Sequence, residues 1–158
     1  MLSIVTGAEN HILHTKNENV KDPMASEIQS LLPKMLTAMR KADGIGLAAP
    51  QIGKNIRVCV VEIEGDIRFF INPKITSASR EKILFEEGCL SLPGELFSIE
   101  RAEIITVRYL DETGTEKKLK ARGLLAICLQ HELDHLDGIL ICDRYKHQNN
   151  IPNYANSN

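Results

Sequence analysis

Apolar residues recur along this chain in two rhythms. Between Ala25 and Ala42 they fall at Ile28, Leu31, Leu32, Met35 and Met39, the spacing of a helix with one apolar stripe. Pro33 lies inside that stretch and lacks the N–H of the helical ladder, which predicts a kink or a late start. Asp43, Gly44 and Gly46 end the helix, and a loop of small residues, GIGLAAPQIG (44–53), follows. The rhythm then shortens. IRVCVVEI (56–63) and IRFFINP (67–73), with EGD between them, predict a hairpin, as do EIITVRYLD (103–111) and TEKKLKA (115–121) around ETG. KILFEEGCLSLPG (82–94) starts as a strand and is expected to close in the Pro93-Gly94 turn.

The helical rhythm returns at GLLAICLQHELDHLDG (123–138), where the first half is apolar almost all round. A helix without a polar face is buried on every side, so this one is expected to run through the core. The first 24 residues read as irregular. YKHQNNIPNYANSN (145–158) is polar and Asn-rich, which predicts a flexible tail behind one domain spanning residues 1–144.

Composition narrows the classes. The chain has 158 residues, 43% of them apolar, and a formal net charge of -2, a balance that gives no electrostatic grip on nucleic acid or acidic lipid. The dense basic run KKLKAR (117–122) reads as the solvated face of a strand. No apolar run reaches the roughly 18 residues of a membrane span, and the N-terminal apolar run is too short for a signal peptide. The four cysteines, Cys59, Cys89, Cys128 and Cys142, form no CxxC pair. They read as reduced thiols of a cytoplasmic protein.

The candidate chemistry lies in QHELDHLDG (130–138). His131 and His135 stand one helical turn apart on the same face, where two imidazoles can hold one metal ion, and Glu132 sits beside them as a proton carrier. Two imidazoles and a carboxylate on a buried helix are costly unless something binds them. A third ligand is needed. No Glu follows Glu132, and Ile141 stands where an extended HExxHxxGxxH motif has its last His. Asp143 and His147 lie past the helix and are poorly placed, so the search turns upstream to the thiolates. Cys128 is seven residues from His135, about 10.5 Å along a helix axis, beyond the reach of a short side chain. Cys59 sits in an apolar strand and Cys142 has no turn to aim it. Elimination favours Cys89, with Gly88 before it and Pro93-Gly94 after it. A metallopeptidase and a closed structural metal module are the competing readings. Ile127, Cys128 and Leu124 form an apolar stripe on the His131 face, suited to floor a pocket for an unbranched side chain.

GIGLAAPQ (44–51), EGCLS (87–91) and QHELDH (130–135) together resemble, in order and spacing, the three motifs of peptide deformylase. The resemblance runs from about Ser26 to Arg144. It implies an α+β fold in which antiparallel β-sheets pack around a buried central C-terminal helix carrying HExxH. It implies a metal held by Cys89, His131 and His135, usually Fe(II), with zinc, nickel or cobalt as substitutes. It gives Glu132 the role of general acid/base, and the Gln51 amide and the Leu90 N–H that of oxyanion donors. The implied reaction removes the formyl group from the N-terminal formylmethionine of nascent polypeptides and releases formate. Ile45 and Phe85 would join the pocket, and the backbone of Gly46 would pair with the peptide. Arg101 fits the family pattern, and a pair with Glu87 is expected. The chain departs from the family where TGAENHILHT lacks the usual early Pro, and where Leu96 or Phe97 occupies a position at which many bacterial relatives carry Arg. A long basic C-terminal helix, which some relatives use at the ribosome, is missing, so the resemblance implies at most transient ribosome proximity for a monomer.

Overall fold

A computed structural model describes residues 1–152. Seven strands and three α-helices follow one another as α1 (Ser26–Lys41), β1 (Gly46–Ala48), β2 (Val58–Ile63), β3 (Asp66–Ala78), β4 (Lys82–Cys89), β5 (Leu92–Ala102), β6 (Ile104–Leu110), β7 (Glu116–Arg122), α2 (Gly123–Leu136) and α3 (Ile141–Gln148). Short 3-10 turns occupy His11–His14 and Ala49–Ile52. Pairing between these strands is antiparallel. Five strands form one sheet in the order β1-β2-β3-β6-β7, and β4 and β5 form a separate two-stranded sheet.

The apolar run of β2 is explained by its two covered faces. Val58 and Val60 pack with the α1 stripe, while Cys59 and Val61 pack with Phe70, Leu129 and Leu133 beneath α2. A strand covered on both sides loses its polar alternation. At the far edge, β7 carries Lys118, Lys120 and Arg122 on its exposed face and Ala121 on its buried one. This is the solvated strand expected from the basic run, and charged side chains also discourage pairing with another edge. A third apolar cluster joins Leu13, Leu92, Ile99, Leu140, Ile141 and Cys142 behind the β4–β5 sheet. The helix α2 lies between the two sheets, buried from Ala126 to Leu129 and again from Glu132 to Leu136. The α+β architecture around a buried helix is thus the one expected.

Several boundaries differ from the sequence reading. The helix α1 runs unbroken through Pro33 from Ser26, so there is no late start. The strand β3 continues past Pro73 to Ala78, with register shifts on either side of Lys74 and Ile75. Proline is tolerated where a bulge already interrupts the ladder. The turn after Cys89 comes earlier than Pro93-Gly94. Cys89 pairs directly with Leu92, leaving Leu90 and Ser91 at the tip, and Pro93 and Gly94 belong to β5. A two-stranded sheet has only edge strands, where Pro costs no interior bond. The expected flexible tail is also corrected in part. Tyr145–Gln148 form the last turn of α3, held by stacking of Tyr145 on Phe97 and by Gln148, which donates to Ser98 O at 2.7 Å. Residues 153–158 of that tail lie outside the described residues.

Candidate active site

Three elements meet at one end of α2. Its His131 and His135 face the tip of the β4–β5 hairpin, which delivers Cys89. The donor atoms of these three residues lie within 4.8 Å of one another. The two Nε2 atoms are 3.2 Å apart, and Cys89 Sγ is 3.3 Å from His135 Nε2. Two nitrogens each about 2.0–2.1 Å from a tetrahedral ion stand about 3.3 Å apart. The set therefore fits a divalent cation in spacing, and two imidazoles with one thiolate suit Fe(II) or Zn(II) in chemistry. Among Cys59, Cys128 and Cys142, none joins the set. Cys59 lies in the core beneath α2, Cys128 lies on α2 one turn before His131, and Cys142 lies in the third cluster.

Electrostatics favour a cation at the same point. Burial works against a charge on His131, but Cys89 and Glu87 outweigh it and raise the imidazole to about 10. Burial and the neighbouring His131 push His135 well below its usual value. Three facing donors share one proton at best, whereas one cation satisfies all three. The Nδ1–H of His131 donates to Glu87 Oε1 at 2.9 Å, so Nε2 is the nitrogen that would meet an ion once it gives up its proton. Glu87 in turn accepts two bonds from Arg101, at 2.8 and 2.9 Å, the pair expected from the sequence.

Glu132 is 3% exposed, and its Oε2 has no partner among the described residues. Burial pushes its carboxyl up to about 7, the range in which a group can both take and give a proton near neutrality. Its other oxygen lies against β1. A Cβ on Gly46 would stand 2.3 Å from Glu132 Oε1 and 3.0 Å from Cys128 Sγ, so only glycine lets the strand come this close. Gln51, 1% exposed, is oriented by its own carbonyl. Its Oε1 accepts from the Ala48 N–H at 2.9 Å, which turns its NH₂ toward Ser91 Oγ at 3.1 Å and Cys89 Sγ at 3.8 Å. The Ala48 contact is not legible in residue pattern, because it depends on the 3-10 turn at Ala49–Ile52.

These residues line a cleft of about 750 Å³. Ile127 and Cys128 form its floor, both nearly buried, while Ile45, Phe85 and Leu124 stand half-exposed at its rim. Gly46, Gln51, Leu90, His131, Glu132 and Cys89 also line it; His135 sits behind, fully covered. Leu96 lines the cleft and Phe97 does not, since Phe97 packs on Tyr145. The sequence reading missed the N-terminal brace. Val5 N–H donates to Gln51 O at 2.7 Å and Gly7 N–H to Ser91 O at 2.9 Å, so residues 5–7 tie the two cleft loops together without the missing Pro. Asn17 donates to the carbonyls of His135 and Leu136 at 3.3 and 3.2 Å. All of these bonds end on backbone carbonyls, which leave no residue pattern to read.

Comparison with known proteins agrees with this geometry. Residues 1–150 match the polypeptide deformylase family. The peptide deformylase of Treponema pallidum is 46% identical over 132 residues, covering 84% of this chain and 81% of that protein. That of Rhizobium meliloti is 47% identical over 123 residues, covering 75% and 71%. Among solved structures, a peptide deformylase from Synechococcus elongatus in complex with actinonin is 41% identical, with a TM-score of 0.88 over 91% of this chain and 78% of that one. A Met-Ala-Ser-bound peptide deformylase from Acinetobacter baumannii is 33% identical, with a TM-score of 0.87 over 91% and 98%. The chain belongs to the polypeptide deformylase family, metal-dependent hydrolases that remove the formyl group from the N-terminus of new polypeptides.

Proposed function

We propose that this chain deformylates N-formylmethionyl peptides at the cleft, with Cys89, His131 and His135 as metal ligands and Glu132 as general acid/base. The buried, unpartnered Glu132 Oε2 beside the three facing donors carries this reading. The ion would be Fe(II), with zinc, nickel or cobalt able to replace it. When bound, it supplies Lewis-acid polarisation and a lowered pKa for water. Glu132 takes a proton from the attacking water as the C–O bond forms at the formyl carbon. The Gln51 NH₂ and the Leu90 N–H donate to the oxyanion that develops, and Gln51 is held ready by Ala48. Glu132 then passes its proton to the departing amine as the C–N bond breaks. Formate and a free N-terminus result.

Ile45, Phe85, Leu124, Ile127 and Cys128 receive the methionine side chain. The substrate backbone pairs with Gly46 and with the strand at Cys89, as an added strand would. Gly44 and Gly46 keep β1 close, which leaves room for a formyl hydrogen and none for a longer acyl chain. The partners are nascent formylmethionyl chains, met by a cytoplasmic monomer in transient proximity to the ribosome.

The test is formate release by protein prepared without oxygen. Formyl-Met-Ala-Ser should react fast, formyl-Gly-Ala-Ser much more slowly and acetyl-Met-Ala-Ser hardly at all. The iron form should lose activity in air faster than the nickel form. Equal rates on formyl and acetyl peptides, or cleavage at internal bonds, would instead identify a broader acylase or a peptidase.

A further inference from the structure

The Glu87 carboxylate that holds His131 is one link of a longer buried chain of charges. Glu87 accepts from Arg101 Nε and Nη2 on β5. The third arm of Arg101, Nη1, donates to Asp134 Oδ2 on α2 at 2.6 Å. Asp134 then accepts two bonds from Arg144 on α3, Nε at 2.7 Å and Nη2 at 2.6 Å. The charges alternate as Glu87, Arg101, Asp134, Arg144, with two negative and two positive groups and no remainder. The side chains of Arg101, Glu87 and Asp134 are 2%, 4% and 10% exposed, while that of Arg144 is 42% exposed. One end of the chain touches His131 and the other reaches the surface through α3.

Stability alone does not explain this arrangement, because apolar residues often replace a buried ionic cluster without loss. The chain also leaves no slack. Among the described residues, every hydrogen bond to the Asp134 carboxylate comes from an arginine. If Arg144 were lost, Asp134 would have Arg101 as its sole cationic partner and would draw it away from Glu87. Glu87 would then hold His131 less firmly.

We infer that Asp134 and Arg144 are positioning residues for the metal site, acting through Arg101 and Glu87 on the His131 ring, and that α3 serves as the outer strut of that site. The inference rests on the proposed Cys89, His131 and His135 ligand set. Outer partners of a metal-bound histidine set its orientation, and their loss weakens binding by roughly 10–100-fold.

The test uses Co(II), whose visible spectrum reports ligand geometry, with affinity measured by chelator competition on the full chain. Arg144→Met, at the half-exposed end, should fold and bind Co(II) about tenfold more weakly, with a shifted spectrum. Arg144→Lys, which keeps the charge but loses the paired bonds, should fall between it and the wild type. Asp134→Asn should weaken binding at least as much. Gln148→Ala is the control. It removes the bonds of α3 to Ser98 O and the Glu100 N–H and should lower the melting temperature without moving affinity or spectrum. Unchanged affinity and spectrum in both Arg144→Met and Asp134→Asn, with tight wild-type binding, would overturn the positioning role alone. Failure of the wild type to bind Co(II) would overturn the ligand set itself and this inference with it.

Discussion

The helices α1 and α2 are built on opposite principles. In α1, Ile28, Leu31, Leu32, Met35 and Met39 are buried against the sheet, and Glu27, Ser30, Lys34, Thr37 and Arg40 face water. Its polarity marks nothing but the solvent side. In α2 the polar residues Glu132, Asp134 and His135 are as buried as the leucines between them. A buried polar group needs a partner, and the partners here converge on the proposed metal site. Asp134 has two arginines, and His131 has Glu87. His135 Nε2 and Cys89 Sγ face a common point, while Glu132 Oε2 has no partner among the described residues. Polarity on the solvent face of a helix is ordinary, whereas polarity on a buried face points to chemistry.

The sharpest way to break the contrast is to remove the proposed ligand that α2 does not supply. Cys89→Ala should lose most of its metal and with it nearly all activity. Cys128→Ala, on α2 itself and closer in sequence to both histidines, should keep its metal. Metal analysis of the two purified variants decides the matter, and full occupancy in the Cys89 variant would remove that residue from the ligand set. Glu132→Gln comes next. It should keep metal and fold while losing roughly 10²–10⁴-fold in kcat/KM, the usual contribution of a general acid/base. A variant with metal bound and normal turnover would return Glu132 to the status of a buried core residue.

The two helices were also unequally legible. The stripe of α1 and the apolar first half of α2 were visible in residue type, because burial writes directly into it; Leu124, half-exposed at the cleft rim, is apolar without being covered. The histidine pair and Glu132 were visible because a motif on one helix keeps its spacing whatever the rest of the fold does. Cys89, the proposed third ligand, needed elimination, since a residue on another element carries no fixed spacing to its partners. What could not be read was set by the backbone. The tip at Leu90-Ser91, the bulges near Pro73, the tie of residues 5–7 to Gln51 and Ser91, and the last turn of α3 all depend on long-range pairing. The Pro93-Gly94 pair even pointed to the wrong turn, because its local preference was overridden by the pairing of Cys89 with Leu92.

Gly46 sharpens the comparison from the facing strand. The buried face of α2 leaves Glu132 so close to β1 that an added methyl would sit 2.3 Å from its Oε1. Gly46→Ala must move the carboxylate, and a displacement of about 1 Å in a catalytic group can cost roughly 10²-fold in rate. Steady-state kinetics on formyl-Met-Ala-Ser should show that loss while metal content stays full. A rate within twofold of wild type would mean that the strand gives way and Glu132 does not.

The smallest functional effect belongs to α1. Met35 is fully buried in the stripe, so Met35→Ala removes packed methylenes and leaves a cavity, at a cost of about 2–5 kcal/mol. Thr37 is exposed and donates only to Pro33 O at 2.9 Å, within its own helix. Thr37→Ala should change stability by no more than about 0.5 kcal/mol. Neither residue touches the cleft. Activity per folded, metal-loaded molecule should therefore match wild type in both, even though denaturant midpoints separate them widely. This is the outcome that distinguishes a helix that supports the site from one that carries it. A fall in kcat/KM for Met35→Ala at full folding and full metal would show that the α1 stripe reaches the chemistry through β2, and that the division between the helices is less complete than their burial patterns suggest.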